Sequence, residues 1–304
     1  MYVIRKETRV CVSTPAKLNL FLELLCRRED GFHELDTLMV PVDLYDSLSV
    51  TPRVDGQINL ACRWAPGYSE ETGGSLPAPQ DNIAHKALTM LQTRSGTDLG
   101  ADVRMAKRIP SQAGMGGGSS DAMAALIAGN NVWNLGWSRE KLMELGAELG
   151  SDVPFFASGS LARCTGRGEK INAIKTNGRM HFVVVKPEVG LSTPEVFRHA
   201  VVPEMPTDSQ PLLAAIETMN LRSIGKLLFN RLQTAATAIT SWVNEIEEVM
   251  DGCSVLGHQM SGSGTSYFAL CRNQRHARHL AARLRATKLG RVFFVSSMNL
   301  APSL

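Results

Sequence analysis

Pro110-Ser111-Gln112-Ala113-Gly114-Met115-Gly116-Gly117-Gly118-Ser119-Ser120-Asp121 is a glycine cluster that runs straight into an alanine-rich apolar segment, Ala122-Met123-Ala124-Ala125-Leu126-Ile127-Ala128. The second stretch has the composition of a helix, and Ser119, Ser120 and Asp121 stand where the caps of its first turn belong. Glycines let a backbone take positive φ and approach a ligand closely, so that successive amide N–H groups converge on phosphate oxygens at the positive end of the helix dipole. The pattern predicts a nucleotide-phosphate site at a helix N-terminus. An isolated glycine run reads more plainly as a loop before a capped helix, so other segments must decide. Two familiar nucleotide signatures are absent. Gly225-Lys226 is followed by Leu227 and lacks the earlier glycine of a P-loop, and the cluster at Gly114 does not complete G-x-G-x-x-G.

The 304 residues, 44% of them apolar, can bury a large core and suffice for two closely packed domains. A net charge of +3, with both signs scattered, argues against a nucleic-acid binder that works by bulk phosphate attraction and leaves a local basic pocket open. The six cysteines lie far apart without C-x-x-C spacing, which argues against a zinc site or a disulfide framework and fits a reducing cytoplasm. The apolar run at 18–25 is broken by Asn19 and Glu23 and is too short to span a bilayer, and no secretory pattern precedes it. The expectation is a cytoplasmic enzyme without membrane or nucleic-acid partners.

Alternating or continuous apolar runs predict strands at 9–13, 18–24, 36–51, 57–62 and 103–105, then at 161–164, 181–185, 253–256, 266–271 and 292–295. A loop is expected over 66–80. Helical spacing follows Asp81-Asn82, runs over about 119–133 and 138–149, dominates 194–250 and returns in a basic segment near 275–288. Strands and helices interleave irregularly, as in an α+β chain, with a division near 158–186.

Four separated segments carry a resemblance: Pro15-Ala16-Lys17-Leu18-Asn19-Leu20, the glycine cluster, Gly150-Ser151-Asp152-Val153-Pro154-Phe155-Phe156, and Met260-Ser261-Gly262-Ser263-Gly264. Their order and spacing resemble the GHMP kinase superfamily over nearly the whole chain. With Asp30-Gly31-Phe32-His33-Glu34-Leu35 added, the sequence resembles the branch that phosphorylates an alcohol carrying a cytidine diphosphate group in the non-mevalonate (methylerythritol phosphate) route to isoprenoids. The resemblance implies an α+β, two-domain GHMP kinase fold with the active site in the interdomain cleft, an ATP-binding N-terminal domain at 1–165 and a C-terminal domain at 166–304. It implies ATP with Mg²⁺, transfer of the γ-phosphoryl group to the substrate's 2-hydroxyl, and a monomer or weak homodimer. Such a transfer asks for in-line positioning and charge stabilisation more than for covalent help.

The resemblance also assigns residues. Asp152 is the catalytic carboxylate that accepts or orients the hydroxyl, with Lys17 beside it to polarise that hydroxyl or neutralise developing charge. Taken singly, Asp152 reads as a helix-to-loop cap and Lys17 as a solvated strand-end charge. Asn19 and His33 are substrate contacts, His33 reading the cytosine edge, while Phe32, Phe197 and Thr193 form the cytidine pocket. Phe32 stands where many relatives carry Tyr, so stacking survives and a phenol hydrogen bond is lost. Asn82 and Lys107 fall near the adenine or its sugar; Pro110, Gly114, Gly116, Gly117, Gly118, Ser119 and Ser120 surround the phosphates or their metal; Gly262 belongs to a motif near both. A homoserine or mevalonate kinase, or a decarboxylase of the same superfamily, would share the glycine loop without the cytidine pocket. A nucleotide sensor without turnover would not need both Lys17 and Asp152. The run Arg275-His276-Ala277-Arg278-His279 suggests nucleic-acid binding, although such runs are usually solvated helix faces.

Overall fold

The computed structural model describes residues 1–298; the end of the expected second domain, 299–304, lies outside them. The strands expected at 9–13 and 18–24 form one continuous strand. In chain order the strands are β1 (Tyr2–Lys6), β2 (Arg9–Arg27), β3 (His33–Arg53), β4 (Ile58–Trp64), β5 (Gly100–Lys107), β6 (Ala162–Gly166), β7 (Lys170–Ala173), β8 (His181–Lys186), β9 (Phe229–Asn230), β10 (Gly257–Met260), β11 (Tyr267–Cys271) and β12 (Arg291–Ser296). The helices are α1 (Glu70–Gly73), α2 (Ile83–Ser95), α3 (Gly117–Val132), α4 (Arg139–Leu149), α5 (Phe155–Ser158), α6 (Thr193–His199), α7 (Gln210–Glu217), α8 (Leu221–Lys226), α9 (Leu232–Ile239), α10 (Trp242–Asp251) and α11 (Gln274–Arg285). None of the described helices is long and apolar enough to cross a membrane.

One sheet runs β1-β2-β3-β5-β4, with the β6–β7 hairpin paired to β3 and β9 added parallel to β2; a second runs β10-β11-β8-β12. The boundary expected after residue 165 falls within β6, β7 still belongs to the first sheet, and β8 is the first strand of the second. β2 is buried without interruption from Thr14 to Leu24, Asn19 and Glu23 included, because both its faces are covered. Ala16, Leu18 and Leu20 share a core with Phe182 and Phe268 of the second sheet, while helices α2 and α3 complete a separate core over the first sheet. A third core packs α9, α10 and α11 on the outer side of the second sheet. There α11 buries Ala277, Leu280, Ala281 and Leu284 and turns its arginines outward.

The pairing of β2 with β3 slips between Pro15 and Ala16, between Asn19 and Phe21, and between Leu24 and Cys26. A proline lacks a ladder N–H, so it fits a central strand only at such an irregularity. The slips around Pro15 and Asn19 bracket Lys17 and re-aim its side chain.

Three local expectations are corrected. Residues 253–256 form no strand, and β10 begins at Gly257. The loop at 66–80 contains α1 and a 3₁₀ turn at Pro79–Asp81, elements too short to show a period. Helix α3 starts at Gly117 rather than Ser119, with Gly116 as its N-cap in a left-handed conformation.

Two buried carboxylates join distant segments. Glu23, fully buried on β2, takes a bidentate Arg231 fork at 2.7 Å and 2.7 Å and the amides of Thr207 and Leu24 at 2.8 Å and 2.9 Å. Asp36 on β3 receives the Arg163 fork at 2.8 Å and 2.9 Å and the Ser209 hydroxyl at 2.6 Å. Burial pushes the Glu23 carboxyl up, but Arg231 and the two amides outweigh it and hold the group below the ordinary glutamate value. Its stabilisation is therefore present above the unfolded glutamate pKa and is lost as pH falls through the lower folded value. Arg231→Met should destabilise the fold by about 3 kcal/mol near neutral pH, because a buried carboxylate loses its partner. Denaturant titrations should show the gap to wild type narrowing toward pH 4, where the orphaned carboxyl takes up a proton; a gap independent of pH would assign the loss to packing.

Candidate active site

Both halves of the chain line one cleft of about 1030 Å³. At one end is the start of α3. Gly116 has φ 68° and offers no side-chain cap, and the amide N–H groups of Gly117, Gly118 and Ser119 have no acceptor among the described residues. A 16-residue helix thus opens onto the cleft with unsatisfied donors, the arrangement that binds an anion. Ser119 lines the cleft, and so do Pro110, Gly114, Gly116, Gly117 and Gly118. Ser120 does not. Its hydroxyl donates to the Pro15 carbonyl at 2.6 Å and meets the Thr14 hydroxyl, which donates to the Ser120 carbonyl at 2.9 Å. The earlier helix start turns Ser120 inward, where it ties α3 to the irregular stretch of β2 instead of facing phosphates.

The glycines at 114 and 116 are required by close approach as well as positive φ. A Cβ on Gly114 would lie 2.1 Å from the Ser261 carbonyl oxygen, and one on Gly116 would lie 2.8 Å from the Phe156 ring. The Ser261 hydroxyl donates to the Gly114 carbonyl at 3.1 Å, so the motif at 260–264 packs directly on the glycine loop.

Beyond the helix start, Asn82 caps α2 by accepting from the Ala84 amide at 2.9 Å and also lines the cleft. Lys107, expected beside the adenine or its sugar, forms part of the wall, but its ammonium is committed to Asp46 and Asp121. Burial would strip the lysine of its proton; the two carboxylates outweigh it and raise its pKa. Asp46 also accepts the Arg108 and Ile109 amides, at 2.5 Å and 2.9 Å. Asp121 is not a cap. Burial first, then the charge of Asp46, push its carboxyl up to about 7, and its Oδ1 has no partner among the described residues.

Asp152 stands in the turn between α4 and α5, 3.4 Å from the Lys17 ammonium, with its side chain 35% exposed while that of Lys17 is 5% exposed. Lys17 also donates to Asn19 Oδ1 at 2.5 Å, and Asn19 Nδ2 donates to Thr37 Oγ1 at 2.9 Å. Asn19, expected to touch substrate, lines the cleft but spends both ends of its amide on holding Lys17 in place. A Cβ on Gly262 would lie 3.2 Å from Lys17 Nζ and 3.2 Å from Asn19 Oδ1, so that glycine provides clearance around the ammonium.

At the far end, the His33 ring lies 5.5 Å from the Phe197 ring, tilted by 32°, and Phe32 is 51% exposed with the Arg167 guanidinium 4.9 Å above it. Asp30 shapes this loop by accepting the Phe32 amide at 3.1 Å, and Arg28 binds Asp30 and Glu34. Burial, then the nearby Arg27 charge, lower the His33 pKa and keep the imidazole neutral near pH 7. Thr193 on α6 meets the Ser263 hydroxyl at 2.7 Å, joining the aromatic end to the 260–264 motif. Sequence reading brought these groups together but missed Arg167, Thr37, Asp46 and the inward role of Asp121. None of the four left a local signal, since even Asp121 stands immediately before the alanine-rich run, where a first-turn cap belongs.

Residues 82–160 match the family of GHMP kinases N terminal domains, and residues 212–288 match that of GHMP kinases C terminal domains. Proteins named 4-diphosphocytidyl-2-C-methyl-D-erythritol kinase are similar along most of the chain. The one from Pelotomaculum thermopropionicum is 38% identical over 90% of this chain and 92% of its own, and the one from Brevibacillus brevis is 36% identical over 91% and 92%. A crystal structure of 4-(cytidine 5'-diphospho)-2C-methyl-D-erythritol kinase superposes with a TM-score of 0.76 at 31% identity, covering 95% of this chain and 99% of the other. Homoserine kinase from Cytophaga hutchinsonii, at TM-score 0.72 and 16% identity over 98% and 97% of the two chains, shares the fold. The cleft, its uncapped helix and the Lys17–Asp152 pair thus lie in a chain that belongs to the 4-diphosphocytidyl-2-C-methyl-D-erythritol kinases of the GHMP kinase family.

Proposed function

We propose that this protein transfers the γ-phosphoryl group of ATP to the 2-hydroxyl of 4-diphosphocytidyl-2-C-methyl-D-erythritol, giving the 2-phosphate and ADP in the non-mevalonate route to isoprenoids. The observation that carries the reading is the single cleft that holds unsatisfied helix amides, a lysine–carboxylate pair and an aromatic–histidine pocket in sequence along its length. The triphosphate lies on the amides of Gly117, Gly118 and Ser119, and the cytosine lies among Phe32, His33 and Phe197. A neutral His33 can both donate to and accept from the base edge.

Between them Asp152 accepts the hydroxyl proton as the oxygen attacks phosphorus. Of the three ammonium protons of Lys17, one is held by Asn19 and one faces Asp152; the third is free for the transferred group, where it offsets the growing negative charge. Asn19, itself fixed by Thr37, holds the lysine in place. Mg²⁺ fits as an ion carried in by the nucleotide. No three His, Cys, Asp or Glu side chains converge to hold a metal among the described residues, and a hexacoordinate ion that keeps phosphate and water ligands needs only one or two protein oxygens, such as the Ser119 hydroxyl. When bound, it supplies charge neutralisation on the phosphates. The six free cysteines suit a cytoplasmic setting.

The test is ADP release with ATP and Mg²⁺, comparing the cytidine substrate with mevalonate and homoserine. Turnover of the first alone is expected, and preference for either of the others overturns the assignment. Asp152→Asn should lower kcat by about 10²–10⁴-fold while nucleotide binding persists, because the amide keeps the shape and cannot take the proton. Equal loss of both would point to a folding defect. Among the four loop glycines, a Cβ on Gly118 meets nothing nearer than Ile83 Cγ2 at 3.6 Å, so a side chain there projects into the cleft without strain. Gly118→Val should therefore raise the Kd for ATP by about tenfold, the worth of one charge-assisted contact, at an unchanged melting temperature. Unaltered ATP affinity would remove the helix start from the phosphate site.

A further inference from the structure

We propose that Arg167 is a specificity-determining residue that binds the diphosphate of the cytidine substrate, an assignment that rests on the function above. Arg167 sits in the turn joining β6 to β7, between Gly166 and Gly168, both at positive φ. That turn is tied to β3 at its start and braced within itself. The Gly166 amide donates to Glu34, next to His33, and the Arg167 amide donates to Glu169 at 2.7 Å. A Cβ on Gly168 would lie 3.7 Å from Asp152 Oδ1, so the backbone of the turn abuts the reacting carboxylate. From there the side chain reaches Phe32, where its guanidinium carbon stands 4.9 Å over the ring. Arg167 thus spans the interval between the phosphoryl-transfer centre and the aromatic pocket. A substrate with its base among Phe32, His33 and Phe197 and its hydroxyl at Asp152 must place its two bridging phosphates in that same interval.

The charge pattern supports this placement. Four other buried or half-buried cations meet carboxylates, Arg163 on Asp36, Arg231 on Glu23, Arg28 on Asp30 and Glu34, and Lys107 on Asp46 and Asp121, while Lys186 and Arg291 satisfy their donors on backbone carbonyls and a hydroxyl. The Arg167 guanidinium makes no ion pair and no hydrogen bond among the described residues; it has the weak contact with the exposed Phe32 ring and a longer-range attraction to Asp30, whose carboxylate is already bound by Arg28. A planar fork whose donors have no hydrogen-bonded carboxylate matches two phosphate oxygens, which it engages bidentately where an ammonium would act as a point charge. Nothing in the composition of the 166–168 turn requires an arginine for folding, since the turn is set by its glycines and by Glu34 and Glu169.

Calorimetric titration tests the contact, with the ATP site first filled by a non-hydrolysable ATP analogue and with cytidine and CDP as the probes. Wild type should bind CDP more tightly than cytidine. Arg167→Gln should reduce that preference by about ten- to hundredfold while leaving cytidine affinity as it was. Its KM for the full substrate should rise by the same factor, with the KM for ATP and kcat unchanged, and Arg167→Lys should recover part of the loss. Equal weakening of cytidine and CDP would place Arg167 on the base through Phe32 and overturn the proposal, as would an unaltered CDP preference. A wild-type protein that turns over the cytidine substrate yet binds cytidine and CDP equally overturns this contact alone. One that neither turns over the substrate nor binds either probe overturns the function with it.

Discussion

The Lys17 amide donates to the Met115 carbonyl at 2.9 Å, and on this bond the arrangement of the cleft depends. Along one edge of β2, β1 pairs as far as Ser13 and β9 pairs only at Phe21 and Leu22, so the intervening edge is left to loops. Backbone groups at such an edge must find partners. Period-two geometry sends the amides of Lys17 and Asn19 to the same side, where the first meets the glycine loop and the second the Ser261 hydroxyl at 3.3 Å. The Pro15 carbonyl takes the Ser120 hydroxyl, and the Asn19 carbonyl takes the Gln259 amide at 2.9 Å. Three of the segments that stand out in the sequence, at 15–20, 110–121 and 260–264, are therefore one hydrogen-bonded unit closing a gap in a sheet, and the fourth joins it through the Lys17–Asp152 ion pair.

That gap also explains which charges are spent and which are kept. Lys107, Arg163 and Arg231 each meet carboxylates that are themselves buried, and these pairs hold segments together. Lys17 is buried as well, yet its carboxylate is the partly exposed Asp152 at 3.4 Å, and its firmest partner is a neutral amide. A buried ammonium matched so loosely retains attraction for an incoming anion, whereas one paired as Lys107 is has none to offer.

The glycine cluster, the long strand and the residues that meet at the Lys17–Asp152 pair and around Phe197 were legible because each is local: composition sets a loop, a period sets an element, and a motif fixes the order of side chains. What escaped was set by rotation and by long-range pairing. Whether Ser119 or Ser120 faces the cleft turns on two residues of helix start, which Gly116 decides through its left-handed backbone and which no cap signal marks. That the Lys107 ammonium is committed to Asp46 and Asp121 left no local trace, because these partners lie 61 and 14 residues away. That Asn19 holds Lys17 escaped because the Thr37 that fixes its amide belongs to another strand. The β6–β7 turn left no periodic trace, and only its position beside Asp152 gives its arginine meaning.

Homoserine kinase shares this fold at 16% identity, so the architecture alone does not choose a substrate. In the proposed function the choice falls to the aromatic end, which is joined to the start of α3 by two links through one short segment: Ser261 to Gly114, and Ser263 to Thr193. In the first, backbone approaches backbone so closely that a single methyl group at position 114 would lie 2.1 Å from the Ser261 oxygen. Contacts of that kind have almost no slack, unlike side-chain contacts that can change rotamer. In-line transfer between two bound substrates tolerates displacements of well under about 1 Å before the rate suffers. A rigid joint between the two ends therefore lets the acceptor end diverge in chemistry among such kinases while the distance from donor phosphate to acceptor hydroxyl stays set by the shared frame.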